Sequence, residues 1–131
     1  MGDGTTADAT SPRLVDGGYT FRQLSSGFGH SCAVTVQDEV YCWGTNGNGQ
    51  LGAAGASPRS PLRAAGGLKM FEVAVAGIGT GSGSFTCAVS KDRLTTYCWG
   101  RNEWGQLGNG STSTTAAVNT NPTIVVGQKP L

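Results

Sequence analysis

The sequence predicts an all-β protein built from a repeated, four-stranded antiparallel unit, and three observations carry that expectation. A string of residues near the middle of the chain recurs near its end. Glycine supplies 22 of the 131 residues, against an average usage of about 7 %, and without a Gly-X-Y period this composition belongs to turns and short strands. Between the glycines, the apolar residues fall in short β-branched and aromatic runs joined by tight connections, which is the pattern of hairpins.

The repeat is the strongest of the three. Tyr41-Cys42-Trp43-Gly44-Thr45-Asn46, followed by Gly49-Gln50-Leu51-Gly52, returns as Tyr97-Cys98-Trp99-Gly100-Arg101-Asn102, followed by Gly105-Gln106-Leu107-Gly108. Upstream, Phe21, Gly27 and Cys32-Ala33-Val34 answer to Phe71, Gly77 and Cys87-Ala88-Val89. Ser11-Pro12, Ser60-Pro61 and Asn121-Pro122 each introduce a short apolar stretch. One unit is therefore about 50 to 56 residues long, a period typical of propellers and arrays.

Taken in order, each unit yields four strands. Phe21 to Ser25 and Phe71 to Ala76 supply the first. Ser31 to Val36 and Glu39 to Trp43 form a hairpin about Gln37-Asp38, and Phe85 to Ser90 and Leu94 to Trp99 form its copy about Asp92-Arg93. The stretches after proline supply a fourth strand at an edge, where a missing N–H is tolerated. Arg63 to Ala76 has some helical character, but Gly66-Gly67 interrupts it and Val73 and Val75 close it. Four strands make one blade of a β-propeller, and two blades make an incomplete ring, since closure takes roughly four to eight.

The order Tyr-Cys-Trp-Gly-x-Asn-x-x-Gly-Gln-Leu-Gly followed by a proline strand resembles the regulator of chromosome condensation repeat, in the cysteine-bearing form common in bacterial surface and secreted proteins. The resemblance covers nearly the whole chain and implies propeller blades. It does not carry the nucleotide-exchange activity of the founding member, because a fold does not fix a function. The expected division is residues 1–20 as the last strand and linker of a preceding blade, 21–65 as the first blade, 66–126 as the second and 127–131 as a tail. Met1-Gly2-Asp3-Gly4-Thr5 mirrors Leu107-Gly108-Asn109-Gly110-Ser111, so the chain is expected to begin inside a repeat. The strand expected over Ser11 to Val15 is then left over, to be paired by a further blade from a parent chain or another subunit.

The four cysteines fall on the hairpins. A turn at Gln37 sets Cys32 opposite Cys42, and a turn between Asp92 and Arg93 sets Cys87 opposite Cys98; opposed strand residues are about 4.5 to 5.5 Å apart at Cα, which suits a disulfide. Zinc ligands would stand about two to four residues apart and usually include histidine, so metal is not expected, and free thiols are the remaining alternative. Two disulfides imply an oxidising compartment, extracellular or periplasmic.

Charge and motifs narrow the functional classes. With 9 Lys and Arg against 8 Asp and Glu, a net charge of +1, the chain has no field to draw nucleic acid, and no apolar run approaches the roughly 18 residues of a membrane span. None of the nucleophile-elbow, phosphate-loop, zinc-protease or calcium-loop patterns occurs. No enzyme activity, cofactor or metal is therefore expected. Trp43 and Trp99 are read as rings between blades, Gln50 and Gln106 as turn chemistry, and the single histidine, His30, as structural, with a longer loop in its place in the second unit. Asn109-Gly110-Ser111 fits a glycosylation acceptor, meaningful only in a eukaryotic secretory pathway.

What the repeat does not require is the better guide to binding. Gly47-Asn48 in the first unit becomes Glu103-Trp104 in the second, and about five extra residues enter between Gly77 and Phe85. Insertions in such folds gather on one face. Arg101, Glu103, Trp104, Ile78 and Phe85 are accordingly the candidate contacts. The expected function is a non-enzymatic binding or scaffold module engaging a protein or glycan through blade loops. An inhibitor of a secreted enzyme such as a β-lactamase is the alternative, on resemblance to an inhibitor of similar fold, and a propeller enzyme is the second.

Overall fold

The computed structural model describes residues 1–77, 83–113 and 119–128. Two four-stranded antiparallel sheets form, each with its strands in chain order. The first holds β1 (Phe21–Ser26), β2 (His30–Thr35), β3 (Val40–Gly44) and β4 (Leu62–Arg63), and the second holds β5 (Met70–Ala76), β6 (Phe85–Ser90), β7 (Thr96–Gly100) and β8 (Thr123–Ile124).

The hairpins form where a polar turn meets alternating β-formers. Asp38 and Arg93 adopt left-handed backbone, with φ of 66° and 62°, a conformation that costs an L-residue energy and needs local support. Thr35 Oγ1 supplies it in the first turn by accepting the N–H groups of Gln37 and Glu39 at 3.3 and 3.2 Å. In the second, Asp92 accepts the Leu94 N–H at 3.0 Å and Ser90 Oγ accepts that of Thr95 at 3.0 Å. The resulting register places Cys32 opposite Cys42 and Cys87 opposite Cys98. Both pairs are disulfides, each with Cα atoms 4.1 Å apart.

Of the proline-led stretches, β4 and β8 each pair two residues with the edge of their own hairpin, and Ser11 to Val15 is the one left unpaired among the described residues, with Leu14 92 % exposed. Each hairpin edge is already taken by its own proline strand, so the N-terminal stretch has no edge to join. It is held instead by loop contacts, Asp16 N–H to Gly2 carbonyl at 2.7 Å and Ser60 Oγ to Asp16 Oδ2 at 2.9 Å.

Two expectations need correction. First, the upstream match slips by one residue. Phe21 lies opposite Thr35 and Met70 opposite Ser90, so with the cysteines superposed Phe21 corresponds to Met70, not Phe71, and Gly27 corresponds to Ala76. A register irregularity after the first residue of both β1 and β5 hides this in the sequence. One residue of slip exchanges the two faces of a strand, so Gln23 corresponds to Glu72 and Leu24 to Val73. Second, His30 has a direct counterpart: it lies opposite Gly44 as Phe85 lies opposite Gly100.

The two sheets stack side by side, with the core between them. Cys32, Val34, Val40 and Cys42 from the first meet Met70, Val73, Ala88 and Trp99 from the second, with Leu51, Ala64 and Ala65 filling the connections. Polar side chains of β1 close the edge of β5. The Gln23 amide donates to the Val73 carbonyl at 2.7 Å and its oxygen accepts the Val73 N–H at 2.9 Å. Ser25 Oγ accepts the Val75 N–H at 3.0 Å and Arg22 donates to the Met70 carbonyl at 3.0 Å. Edge groups that lost water on stacking thereby keep their hydrogen bonds. Arg63 to Ala76 contains one 3-10 turn, Ala65–Gly67, before β5 begins.

Candidate functional site

Each blade ends in the same loop: Asn46 to Gly52 after β3, and Asn102 to Gly108 after β7. The asparagine builds it. Asn46 Oδ1 accepts the Leu51 N–H at 3.1 Å, as Asn102 Oδ1 does that of Leu107 at 3.1 Å. The glutamine completes it, with Gln50 Oε1 accepting the Asn48 N–H and Gln106 Oε1 that of Trp104, both at 2.9 Å. Leu51 and Leu107 are fully buried beneath the turns. Gln50 and Gln106 thus each support the backbone of their own turn.

The two loops differ in what covers them. The Gln50 carbonyl accepts the indole N–H of Trp99 at 3.0 Å and the hydroxyl of Thr86 at 2.7 Å, both from the second blade. Gly52 lies flat under the same ring, where an added Cβ would stand 2.7 Å from Trp99 Nε1. On the second loop the Gln106 carbonyl accepts no hydrogen bond among the described residues, and Trp104, the counterpart of buried Asn48, is 72 % exposed.

Trp104 and Phe85 come together. With Ala76, Gly77, Gly83 and Gln106 they line a groove of about 230 Å³. Arg101 and Glu103 form an ion pair with each other, at the base of the loop and not in the groove. Arg101 Nε is buried and has no partner among the described residues. Ile78 lies outside the described residues.

His30 is a hinge between blades. It is 3 % exposed, and its Nε2 stands 2.9 Å from Thr86 Oγ1. Because the Thr86 hydroxyl gives its proton to the Gln50 carbonyl, His30 must donate through Nε2–H, leaving Nδ1 unprotonated. Burial pushes its pKa down to about 4. Sealed between two blades, this imidazole has no route to a substrate. Among the described residues no group of three or more His, Cys, Asp or Glu is placed to hold a metal ion, and no helix is long and apolar enough to cross a membrane.

Sequence reasoning missed Phe28 and Gln23. Phe28 is 65 % exposed on the β1–β2 connection, which meets the β3–β4 loop through the Thr45 N–H and the Gly29 carbonyl at 2.7 Å. An aromatic residue between two glycines was the available signal. Gln23 carried none, since its role depends on the register slip.

Two stacked four-stranded antiparallel sheets, each closed at its edge by a proline strand, are adjacent blades of a β-propeller whose ring is not closed by this chain. The chain carries the regulator of chromosome condensation repeat: models described as the Regulator of chromosome condensation (RCC1) repeat match residues 21–50 and 95–129. Ultraviolet-B receptor UVR8 of Arabidopsis thaliana is 31 % identical over 115 residues, which cover 84 % of this chain and 24 % of the receptor. The human E3 ubiquitin-protein ligase HERC2 is 26 % identical over 112 residues, 84 % of this chain and 2 % of the ligase. Among solved structures, human WBSCR16 superposes with a TM-score of 0.65 at 25 % identity, covering 86 % of this chain and 27 % of that one. Yeast RCC1 (Prp20) bound to Kap60 superposes with a TM-score of 0.68 at 16 % identity, covering 88 % and 26 %. The chain thus spans about a quarter of the receptor and of both solved structures.

Proposed function

We propose that this chain is a non-enzymatic binding module of an extracellular or periplasmic propeller, and that it engages a protein through the groove beside Trp104. The exposed Trp104 carries the reading. It stands on a loop that the first blade builds with asparagine, so the blade does not need the ring, and exposed tryptophans are the usual anchors of protein interfaces. The Gly83 and Phe85 walls give that anchor an apolar setting. Yeast Prp20, a propeller of similar fold, is bound to Kap60 in one solved structure and has binding properties toward Gsp1p and histones. Two disulfides suit an oxidising compartment. Residues 21–65 and 66–126 serve as the two blade units of this reading.

Capture from the secreted proteins of the source culture tests it. Immobilised chain should retain a protein that the Trp104→Ala variant loses at unchanged fold. Retention of a glycan alone, or of the same protein by both chains, overturns the reading. If the captured protein is a hydrolase whose activity falls on binding, the module is an inhibitor.

A further inference from the structure

The chain carries three Asn-Gly steps, Asn46-Gly47, Asn48-Gly49 and Asn109-Gly110, and the fold treats them differently. Such a step holds the parts of an internal reaction. The side-chain amide carbon of the asparagine lies within reach of the next backbone nitrogen, and a glycine there has no side chain to hinder the approach.

At the first two steps the fold blocks this reaction. Asn46 is 6 % exposed, and its Nδ2 donates to the carbonyls of Ala53 and Gly55 at 3.0 and 2.8 Å, so the nitrogen that would leave is tied down. Asn48 is buried, and the Gly49 nitrogen that would attack is committed to the Asn46 carbonyl at 3.1 Å. At the third step the arrangement is reversed. Neither Asn109 Nδ2 nor the Gly110 N–H meets an acceptor among the described residues. Asn109 Oδ1 instead accepts three hydrogen bonds, from the Ser111 N–H at 3.1 Å, the Ser111 hydroxyl at 2.8 Å and Asn102 Nδ2 at 3.2 Å. Donors placed on a carbonyl oxygen stabilise the oxyanion that forms when a nucleophile adds to its carbon.

The exposure of this turn belongs to the fold. Asn109-Gly110-Ser111 corresponds to Ala53-Ala54-Gly55 of the first blade, where Asn46 holds the Gly55 carbonyl as Asn102 holds that of Ser111 at 3.0 Å. The second blade packs against the first, yet Ala54 and Gly55 stay exposed, as Gly110 and Ser111 do.

We propose that Asn109 is a self-modification site, at which the Gly110 nitrogen attacks Asn109 Cγ and the side-chain amide is converted to an acid through a cyclic imide. The Gly110 nitrogen gives up its proton as its bond to Cγ forms. Asn109 Nδ2 takes up a proton and leaves as ammonia, which closes the succinimide ring. Water then opens the ring. Breaking the new bond to Cγ yields aspartate; breaking the bond to the main-chain carbonyl carbon yields isoaspartate, with the chain rerouted through the side chain. Water is the one other reactant. The aspartate product has a precedent in this molecule: Asp3-Gly4-Thr5 makes the same turn, with Asp3 Oδ1 accepting the Thr5 N–H at 3.1 Å and its hydroxyl at 3.0 Å, and with Gly4 and Gly110 both at φ 77°. The isoaspartate product has none. Its longer main chain draws the Ser111 carbonyl away from Asn102, whose side chain also holds the Leu107 N–H, so modification loosens the loop that carries Trp104.

Timed peptide mapping of the full chain tests the proposal, once folded with its disulfides intact and once reduced in urea at the same pH. In the unfolded chain all three steps should convert at similar rates, since each is then a free Asn-Gly. In the folded chain Asn109 should convert at least as fast as it does unfolded and give both products. Asn46 and Asn48 should fall behind it by about tenfold or more, the net worth of the hydrogen bonds that hold those two steps. Ser111→Ala, at an exposed position, removes one donor and should slow the folded conversion about two- to tenfold, with the unfolded rate unchanged. Circular dichroism establishes that the variant is folded, and the comparison of folded with unfolded wild type needs no variant. Conversion of Asn109 that is slower in the folded chain than in the unfolded one, or equal rates at the three steps of the folded chain, overturns the proposal. Aspartate at position 109 without isoaspartate also overturns it, because water would then have attacked the amide directly.

Discussion

The loops Asn46 to Gly52 and Asn102 to Gly108 share a backbone design and have opposite surroundings. In the first, the carbonyl of Gln50 is the anchor for a neighbouring tryptophan, and Asn48 is 8 % exposed. In the second, the same carbonyl meets no donor among the described residues and a tryptophan at the position of Asn48 faces solvent. The asparagine and glutamine that fold each turn are indifferent to this. A repeat therefore separates what makes a blade from what joins blades, and only the second depends on the neighbour.

The comparison breaks most severely at the covered loop. Trp99→Ala removes a fully buried ring and the indole that anchors Gln50, which should cost about 3 to 5 kcal/mol. Thermal or urea unfolding should show a collapse of the transition or its loss. Removing either disulfide by paired Cys→Ala substitution should cost about 2 to 3 kcal/mol, because each closes a loop of about eleven residues and constrains the unfolded chain. Urea midpoints of Cys32→Ala/Cys42→Ala and Cys87→Ala/Cys98→Ala check this separately for the two blades.

The joint between blades should also respond to acid through His30. Its folded pKa is about 4 against an ordinary 6.5, so the unfolded chain takes up the proton first as pH falls. Stability from this group is intact above about pH 6.5 and declines toward pH 4, by about 2 to 3 kcal/mol in all. His30→Phe, which copies Phe85 of the second blade, should flatten that part of a stability–pH profile. A profile unchanged by the substitution would mean that the imidazole is already hydrated in the joint. Asp38 and Glu39 are held below the ordinary carboxylate range, Asp38 chiefly by its hydrogen bond from Lys91 and Glu39 by that from Lys69, so any contribution they make is lost only at still lower pH.

Smaller effects sharpen the contrast. Gln23→Ala leaves both backbone groups of Val73 without their partner and should cost about 1 to 2 kcal/mol. Its register counterpart Glu72 faces outward, and Glu72→Ala should change the urea midpoint by less than a tenth of that seen for Leu or Trp core changes. Smallest of all, Trp104→Ala should shift stability by less than about 0.5 kcal/mol, as for other exposed sites, while abolishing capture of the protein partner. A large loss of stability would place Trp104 in the structural core of the blade.

Much of this was legible beforehand for a physical reason. Hairpins depend on local turn chemistry and alternation, so the strands, the cysteine pairing and the proline edges followed from residues close in sequence. Phe21 and Phe71 misled because a slip of one residue leaves the composition of a strand unchanged while exchanging its faces. Ser11 to Val15 is left over as the sequence led us to expect, because each hairpin edge takes the proline strand that follows it.

By itself, then, the sequence determined the unit: two four-stranded blades, each closed by an Asn-Gln turn and a disulfide, because every interaction involved lies within one period. Only the tertiary structure decided which copies of those residues are joined. Trp99 meets Gln50, His30 meets Thr86 and Gln23 meets Val73 across the stack, contacts between residues that share no local pattern. The repeat writes Trp43 and Trp99, or Gln50 and Gln106, in the same letters. Their different fates follow from what lies alongside: among the described residues, Trp99 finds a loop carbonyl for its indole N–H, and Gln50 finds donors for its carbonyl.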